Sequence, residues 1–369
     1  MESMIQSKVN IFFVLSSYAL GGMEMRGARV AKLSASRGHE VHFGCPSGSP
    51  LDALLRKYNV QRLNLSIRGS LDLFSCLKIV RFLQKNKTDL VMSFTGKDYW
   101  MTILAAKLSG IPVVLSRSTA YRFNPLTIPV VKKANNIISV SQGIKEILVS
   151  QGIPSRQVKV IYLGVNTSEF SPESTPPQQK SRKQIGLPAD KFIIGCLGRS
   201  RKGQERLLAA DPFIHSHCPD LCYFFAGAHI HEHLYPLVEA QPGLKDRVIL
   251  WDLLPHEQVP KILKAIDLIV HLPEQEPFSN AVLEAMAMGK PLILSRTLGN
   301  IEAAEEGKSG FFVEPNDIPA LARSVRYLYE SPEIRQKLGK SALERVRELF
   351  TEEIMMRQME EIWTGLCTH

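Results

Sequence analysis

Two carboxylates, Glu276 and Glu284, stand eight positions apart in the string EPFSNAVLEAMAMGKPLILS, which runs from Glu276 to Ser295. The string reads as a loop restrained by Pro277, a short helix capped by Ser279 or Asn280 and ended at Gly289 and Pro291, and an apolar strand, PLILS. A helix start presents unpaired N–H groups and the positive end of a dipole, so the backbone from Ser279 to Ala281 suits a phosphate. Glu276 lies just before that start and Glu284 one turn inside it, roughly 6–7 Å along the axis at ~1.5 Å per residue. A carboxylate beside a bound phosphate is tolerable as an acceptor for neutral hydroxyls, and two vicinal hydroxyls occupy both of its oxygens. A phosphate with a hydroxylated ring on each side is a sugar nucleotide. That chemistry places Glu284 on the nucleotide ribose and Glu276 on the second sugar.

Other loops carry weaker signals. GRSRKGQERLL, Gly198 to Leu208, follows an apolar strand and opens a helix, and Arg199, Arg201 and Lys202 lie in the turn between. Such cations suit a diphosphate, the more so where no metal neutralises it. Gly21 and Gly22, after the strand VNIFFVLS, allow backbone to approach a ligand closely. HSHCPDLC holds His215, His217, Cys218 and Cys222, but it passes from a helix end through a proline turn into a strand, so its side chains diverge and no metal site is expected. The spacing in HIHEH, His229 to His233, matches no metal motif. Neither a P-loop, a GxGxxG string nor a legible Ser-His-Asp arrangement is present.

Strand and helix signals alternate along the whole chain, which predicts parallel, doubly wound sheets with ligands at the carboxyl ends of the strands. In the first half those ends are followed by Gly21 and Gly22, by Thr95 to Asp98 and by Arg117 to Tyr121. The polar, proline-rich run SPESTPPQQKSRK reads as a linker, giving a first domain over 1–172 and a second over 173–351. From Ile318 the chain reads as helix almost to its end, broken near Ser331-Pro332.

At 369 residues with 44% hydrophobic content the chain can bury two cores. Six cysteines scattered over apparent strands and helices form no disulfide framework and fit a reducing cytoplasm. Neither a signal peptide nor a membrane-spanning run is read. The net charge of +9 is uneven: residues 1–172 hold 22 Lys and Arg against 9 Asp and Glu, and residues 173–369 hold 23 against 27. A basic first domain suggests an anionic partner such as a membrane surface or a phosphorylated lipid or glycan. Nucleic acid is discounted, because the basic residues are not interleaved with aromatics and no nucleic-acid motif occurs.

The E-x7-E spacing followed by EAMAMGKPLILS resembles the donor-site signature of the retaining glycosyltransferases of family 4, which have the GT-B fold. GGME, the helix after it and SRGHEVHF resemble the family's first loop and helix. The resemblance implies an α/β protein of two Rossmann-like domains facing a cleft. Its last helix, TEEIMMRQMEEIWTGL (about 352–369), would cross back to the first domain through Met355, Met359, Ile362, Trp363 and Leu366. It implies transfer of a sugar from a nucleotide diphosphate sugar, UDP-linked in preference to GDP- or ADP-linked, with no metal or other cofactor. Glu276, Arg199 and Lys202 would be catalytic, and Gly22, Pro277, Phe278, Ser279, Asn280 and Glu284 would bind the donor. The family's usual His after the strand IPVVLS is absent; SRSTAYR stands there, which makes Arg117, Ser118 and Thr119, with Gly21 and Asp98, the acceptor-side candidates. Pro277 and Ser279 replace glycines common around the family's first Glu, so the identity of the sugar does not carry over. The expected acceptor is a lipopolysaccharide-core or lipid-linked glycan at the cytoplasmic face of the inner membrane, reached by peripheral attachment. The alternatives are a sugar-nucleotide epimerase or hydrolase on the same scaffold, and a nucleotide-sugar-binding protein without catalysis.

Overall fold

The computed structural model describes residues 8–252 and 254–367. The chain divides into two compact units, one running to Tyr162 and resuming at Glu353, the other spanning Leu163–Glu352.

The first unit is built on seven parallel strands: β1 (Asn10–Val14), β2 (Glu40–Cys45), β3 (Gln61–Asn64), β4 (Leu90–Ser93), β5 (Val113–Arg117), β6 (Asn136–Ser139) and β7 (Val158–Val160), in the order 3-2-1-4-5-6-7. The second has six parallel strands: β8 (Phe192–Leu197), β9 (Leu221–Ala226), β10 (Val248–Trp251), β11 (Leu268–His271), β12 (Leu292–Ser295) and β13 (Phe311–Val313), in the order 10-9-8-11-12-13. Helices join the strands, so strands such as FIIGCL and LCYFFA are buried nearly end to end, as sheets covered on both faces require. In each sheet the strand order reverses once beside the founding strand, at β1/β4 and at β8/β11. A crevice opens at such a reversal, and ligands of doubly wound sheets bind there.

The last helix, Glu352–Cys367, belongs to the first unit as expected. Met355, Met359 and Trp363 enter the core that contains Ile11 and Phe13, and the Trp363 ring meets Phe13 edge-on at 6.1 Å. On the same helix Glu360 takes two hydrogen bonds from the Arg37 guanidinium, at 2.6 and 2.8 Å, and lies 3.1 Å from His39.

The polar run read as a linker contains a helix, Gln178–Ile185, closed by Gly186 in the left-handed region. Arg182 is buried, donates to the carbonyl oxygens of Ala265, Ala189 and Lys191, and pairs with Asp267 at 2.5 Å, while Gln178 reaches Asp267 at 2.8 Å. One guanidinium with four acceptors anchors this helix in place of an apolar stripe, so hydrophobic periodicity could not announce it. Leu163–Pro172 packs with the second unit rather than the first. Val165 N–H donates to Phe350 O at 2.8 Å, Phe170 is fully buried, and Lys264 holds Pro172 O at 2.9 Å.

Candidate active site

In the second unit the reversal at β8/β11 gathers the residues singled out in the sequence. β8 ends at Leu197, and the turn Gly198–Gly203 leads into the helix Gln204–Ile214. Within that turn Arg201 has φ of 72°, a conformation that costs a non-glycine residue roughly 1–2 kcal/mol. Gln204, fully buried, holds the turn: its Oε1 accepts from Lys202 N at 2.7 Å and its Nε2 donates to Arg199 O at 3.1 Å. Gly203, at φ +88°, lets the turn press on the strand end beyond β11, since a Cβ there would come within 2.6 Å of Leu272 O. Leu272 N–H in turn donates to Lys202 O at 2.8 Å, and Arg206 donates to Leu272 O and to Glu274, both at 2.6 Å. The two loops are therefore one rigid unit.

Glu276 sits in this junction, 7% exposed. Its Oε2 receives Lys202 Nζ at 2.6 Å and lies 2.9 Å from His271 Nε2, at the end of β11. Burial, the largest influence, raises the carboxyl's proton affinity, but the His271 contact and the Lys202 charge overcome it and bring the pKa down to about 2. Oε1 has no partner among the described residues, which leaves one oxygen of a firmly ionised carboxylate free to accept. The loop is fixed from below as well. Gly299 N–H donates to Glu276 O at 2.8 Å, and a side chain at Gly299 would come within 2.4 Å of Pro277 O.

The helix after this loop spans Asn280–Ala287, and Ser279 rather than Asn280 caps it, accepting from Val282 N at 3.4 Å. The N–H groups of Asn280 and Ala281 have no partner among the described residues and form an anion-seeking end. Phe278, expected among the donor contacts, is buried, with its ring against Phe350 at 5.6 Å between centroids. Glu284, 12% exposed in its side chain, has His256 Nε2 at 3.6 Å, and His256 Nδ1 lies 3.2 Å from Glu169. Arg199 is exposed and forms no ion pair with a described residue. Among the described residues no group of three or more His, Cys, Asp or Glu is placed to hold a metal ion.

The first unit presents its own candidates at the β1/β4 reversal and beside it. Asp98 is a correction: it is fully buried, accepts from Ser16 N at 2.7 Å and from Ser16 Oγ, and has no surface left for an acceptor. Burial pushes its carboxyl up against those hydrogen bonds. Arg117 is also interior, packed 4.2 Å over the Phe123 ring and donating to Tyr121 O, and burial lowers its pKa. Ser118 is partly exposed and accepts from Arg26 Nη1 at 2.8 Å, the same nitrogen that reaches Ser116 Oγ at 2.9 Å; Thr119 beside it is partly exposed. Gly21 caps the helix Gly22–Ser36, with its N–H on Glu24 at 2.9 Å. Gly22 lacks a positive φ, and a Cβ added there would meet nothing within 4 Å. Gly22→Ala is therefore expected to change folding stability by less than about 1 kcal/mol, toward higher stability. Urea unfolding checks this, and lost transfer at intact stability would report a ligand resting on that glycine.

The model for glycosyltransferase family 4 matches residues 20–169, and the model for glycosyl transferases group 1 matches residues 177–345. The chain belongs to glycosyltransferase family 4. The transferase is 25% identical over 343 residues to the UDP-Gal:alpha-D-GlcNAc-diphosphoundecaprenol alpha-1,3-galactosyltransferase of Escherichia coli, covering 86% of this chain and 87% of that one. With EpsD of Bacillus subtilis (strain 168) it is 28% identical, over 57% of this chain and 55% of that one. Its fold is GT-B, shared with solved structures at 22% identity. A glycosyltransferase from Rickettsia africae ESF-5 superposes with a TM-score of 0.89, covering 98% of this chain and 99% of that one. Anabaena Alr3699/HepE, crystallised with UDP, superposes at 0.85, covering 97% and 100%.

Sequence reasoning about the transferase missed His271, Gln204 and His256, each of which touches a residue it had singled out. A histidine ending the otherwise apolar run LIVH was the available signal for His271: a polar side chain at the carboxyl end of a central strand points where ligands bind. Gln204 and His256 carry no comparable local signature.

Proposed function

We propose that this family 4 glycosyltransferase is a retaining, metal-independent enzyme that moves a sugar from a nucleotide diphosphate sugar to a hydroxyl of a glycan or lipid-linked acceptor. The observation that carries the reading is Glu276, an ionised, buried carboxylate with one oxygen held by Lys202 and His271 and the other open, next to a helix start with unpaired N–H groups. The Asn280 and Ala281 amides, Arg199 and Lys202 hold the diphosphate and supply the positive charge that a divalent ion would otherwise bring. Glu276 Oε1 accepts from a hydroxyl of the sugar, and Glu284 accepts from the ribose. The acceptor oxygen bonds to the anomeric carbon on the face from which the diphosphate leaves. The bond from that carbon to the diphosphate oxygen breaks, and the acceptor proton passes to the departing phosphate. The protein's share is positioning and charge stabilisation.

UDP is the favoured carrier, in keeping with the UDP-galactose named for the Escherichia coli relative and the UDP in the Anabaena structure. The relative's diphosphoundecaprenol acceptor and the basic first half of the chain support a cell-envelope glycan, as in lipopolysaccharide core, made at the cytoplasmic face of the inner membrane. Among the described residues no helix is long and apolar enough to cross a membrane, and attachment on this reading is peripheral.

Thermal unfolding with UDP-, GDP-, ADP- and CMP-sugars tests the donor. A ligand at ~100 times its Kd adds roughly 2.7 kcal/mol, so UDP-sugars are expected to raise the Tm selectively. A shift confined to another base would replace UDP, and release of free sugar at the full rate without an acceptor would make the enzyme a hydrolase.

A further inference from the structure

The helix Leu73–Lys85 of the first unit buries Cys76, Ile79 and Leu83 on one side. On the opposite side Phe74, Leu77, Lys78, Arg81 and Lys85 recur at three- and four-residue steps, a single stripe that is apolar in its first turn and basic beyond. Phe74 is 77% exposed, Leu77 53%, Leu73 61%, and Leu71 in the preceding loop 84%. The helix Tyr99–Ser109 packs beside it and turns Leu104 and Leu108 outward as well. Scattered exposed leucines need no explanation, but four large apolar side chains within seven residues do. At the foot of the stripe is a cavity of about 320 Å³, lined by Ser66, Arg68, Asp72, Phe74, Ser75 and Lys78 among others. The Asp72 carboxylate is committed to Arg68 N, Ser75 N and Ser75 Oγ, at 2.8–3.0 Å. The Arg68 and Lys78 side chains form no ion pair with any described residue.

We propose that this face docks on an anionic phospholipid bilayer, with a lipid phosphate seated between Arg68 and Lys78 and with Leu71, Leu73, Phe74 and Leu77 entering the interface. Cations bordering an exposed apolar stripe match a surface that is negative at its headgroups and apolar just beneath. A soluble acidic partner would account for the charge and leave the leucines unexplained. The inference deepens the lipid-linked acceptor reading, because it places the enzyme where such an acceptor resides.

Co-sedimentation of the full chain with vesicles tests it. Binding is expected to vesicles containing phosphatidylglycerol and not to pure phosphatidylcholine, and to weaken between ~0.1 and ~0.5 M salt. Leu73→Gln, Phe74→Gln and Leu77→Gln combined should reduce binding more than tenfold. Lys78→Gln and Arg81→Gln should each reduce it roughly fivefold. Wild-type binding by both sets of variants would overturn the proposal. So would absence of vesicle binding at low salt, or a wild-type dimer that the triple variant turns into monomers. Leu73, Phe74, Leu77 and Arg81 are exposed and Lys78 is half-buried; should the triple variant still misfold, the charge variants carry the test alone. The UDP-sugar thermal shift, measured on the same samples, reports the second unit independently. A missing shift with vesicle binding intact would sink the donor reading and leave the docking surface standing.

Discussion

Glu276→Gln is expected to lower turnover with a nucleotide sugar by ~10–100-fold while leaving affinity for the bare nucleotide within about twofold. The carboxylate's open oxygen, Oε1, is the only polar atom of this side chain not already engaged by Lys202 or His271. A charge-assisted hydrogen bond from a sugar hydroxyl to that atom is worth ~1.5–3 kcal/mol, and an uncharged amide forfeits most of it. The nucleotide does not share the loss. With Glu276 neutralised, the Lys202 ammonium is freed from its 2.6 Å pair and keeps its full charge for a diphosphate. Steady-state kinetics with the sugar nucleotide and calorimetric titration with UDP separate the two effects, and a variant that loses UDP affinity at unchanged turnover would refute the role. The carboxyl also carries a stability signature. Its folded pKa of about 2 lies below the ordinary 4.5, so its contribution is complete above pH 4.5 and is lost as the pH falls toward 2. The glutamine variant should lack that part of the acid dependence of unfolding.

What could be read before the structure, and what could not, divides along contact range. The alternation of apolar runs and helical stretches located both sheets, because each strand is buried on two faces and declares itself locally. Ser279 as a cap and Pro332 at the break between the last long helices are local chemistry as well. Misreadings came where a distant partner decides. Asp98 looks like a polar residue at a strand end until Ser16, 82 positions away, claims both of its oxygens. Phe278 lies inside the donor signature, yet Phe350 draws its ring into the core. Gln178–Ile185 resembles a linker because its anchor, Asp267, stands 85 positions from Arg182 along the chain. His271 and Gln204 belong to the same class, for their importance comes from what they hold, namely Glu276 and the turn carrying Arg199 and Lys202.

Those braces hold the loops around Glu276 in one fixed arrangement. The turn after β8 and the loop after β11 are locked to each other through Lys202 O, Leu272 and Arg206. The loop is also locked to the short helix Leu298–Ala303, beyond β12, through Gly299. Charge on Glu276 and open amides at Asn280 and Ala281 are thereby held ready before a ligand arrives, which is the condition for electrostatic stabilisation without reorganisation during the reaction.

Glu284→Ala should produce the complementary loss: affinity for UDP itself falls ~10–100-fold, and sugar-nucleotide binding falls with it. Glu284 projects from the second turn of the helix whose first amides are unpaired, so a nucleotide with its phosphate at that start has its ribose within reach of this carboxylate. His256 Nε2, at 3.6 Å, is too far to consume an oxygen as a hydrogen bond, which leaves both oxygens for the two vicinal ribose hydroxyls. Comparison of UDP with 2′-deoxy-UDP gives the decisive readout. Wild-type enzyme should bind the deoxy nucleotide roughly tenfold more weakly, since one hydroxyl is missing. The alanine variant, having no carboxylate to offer, should bind the two nearly equally. If wild type and variant discriminate to the same extent, Glu284 does not hold the ribose. If Glu276→Gln instead abolishes the discrimination, the two carboxylates exchange roles.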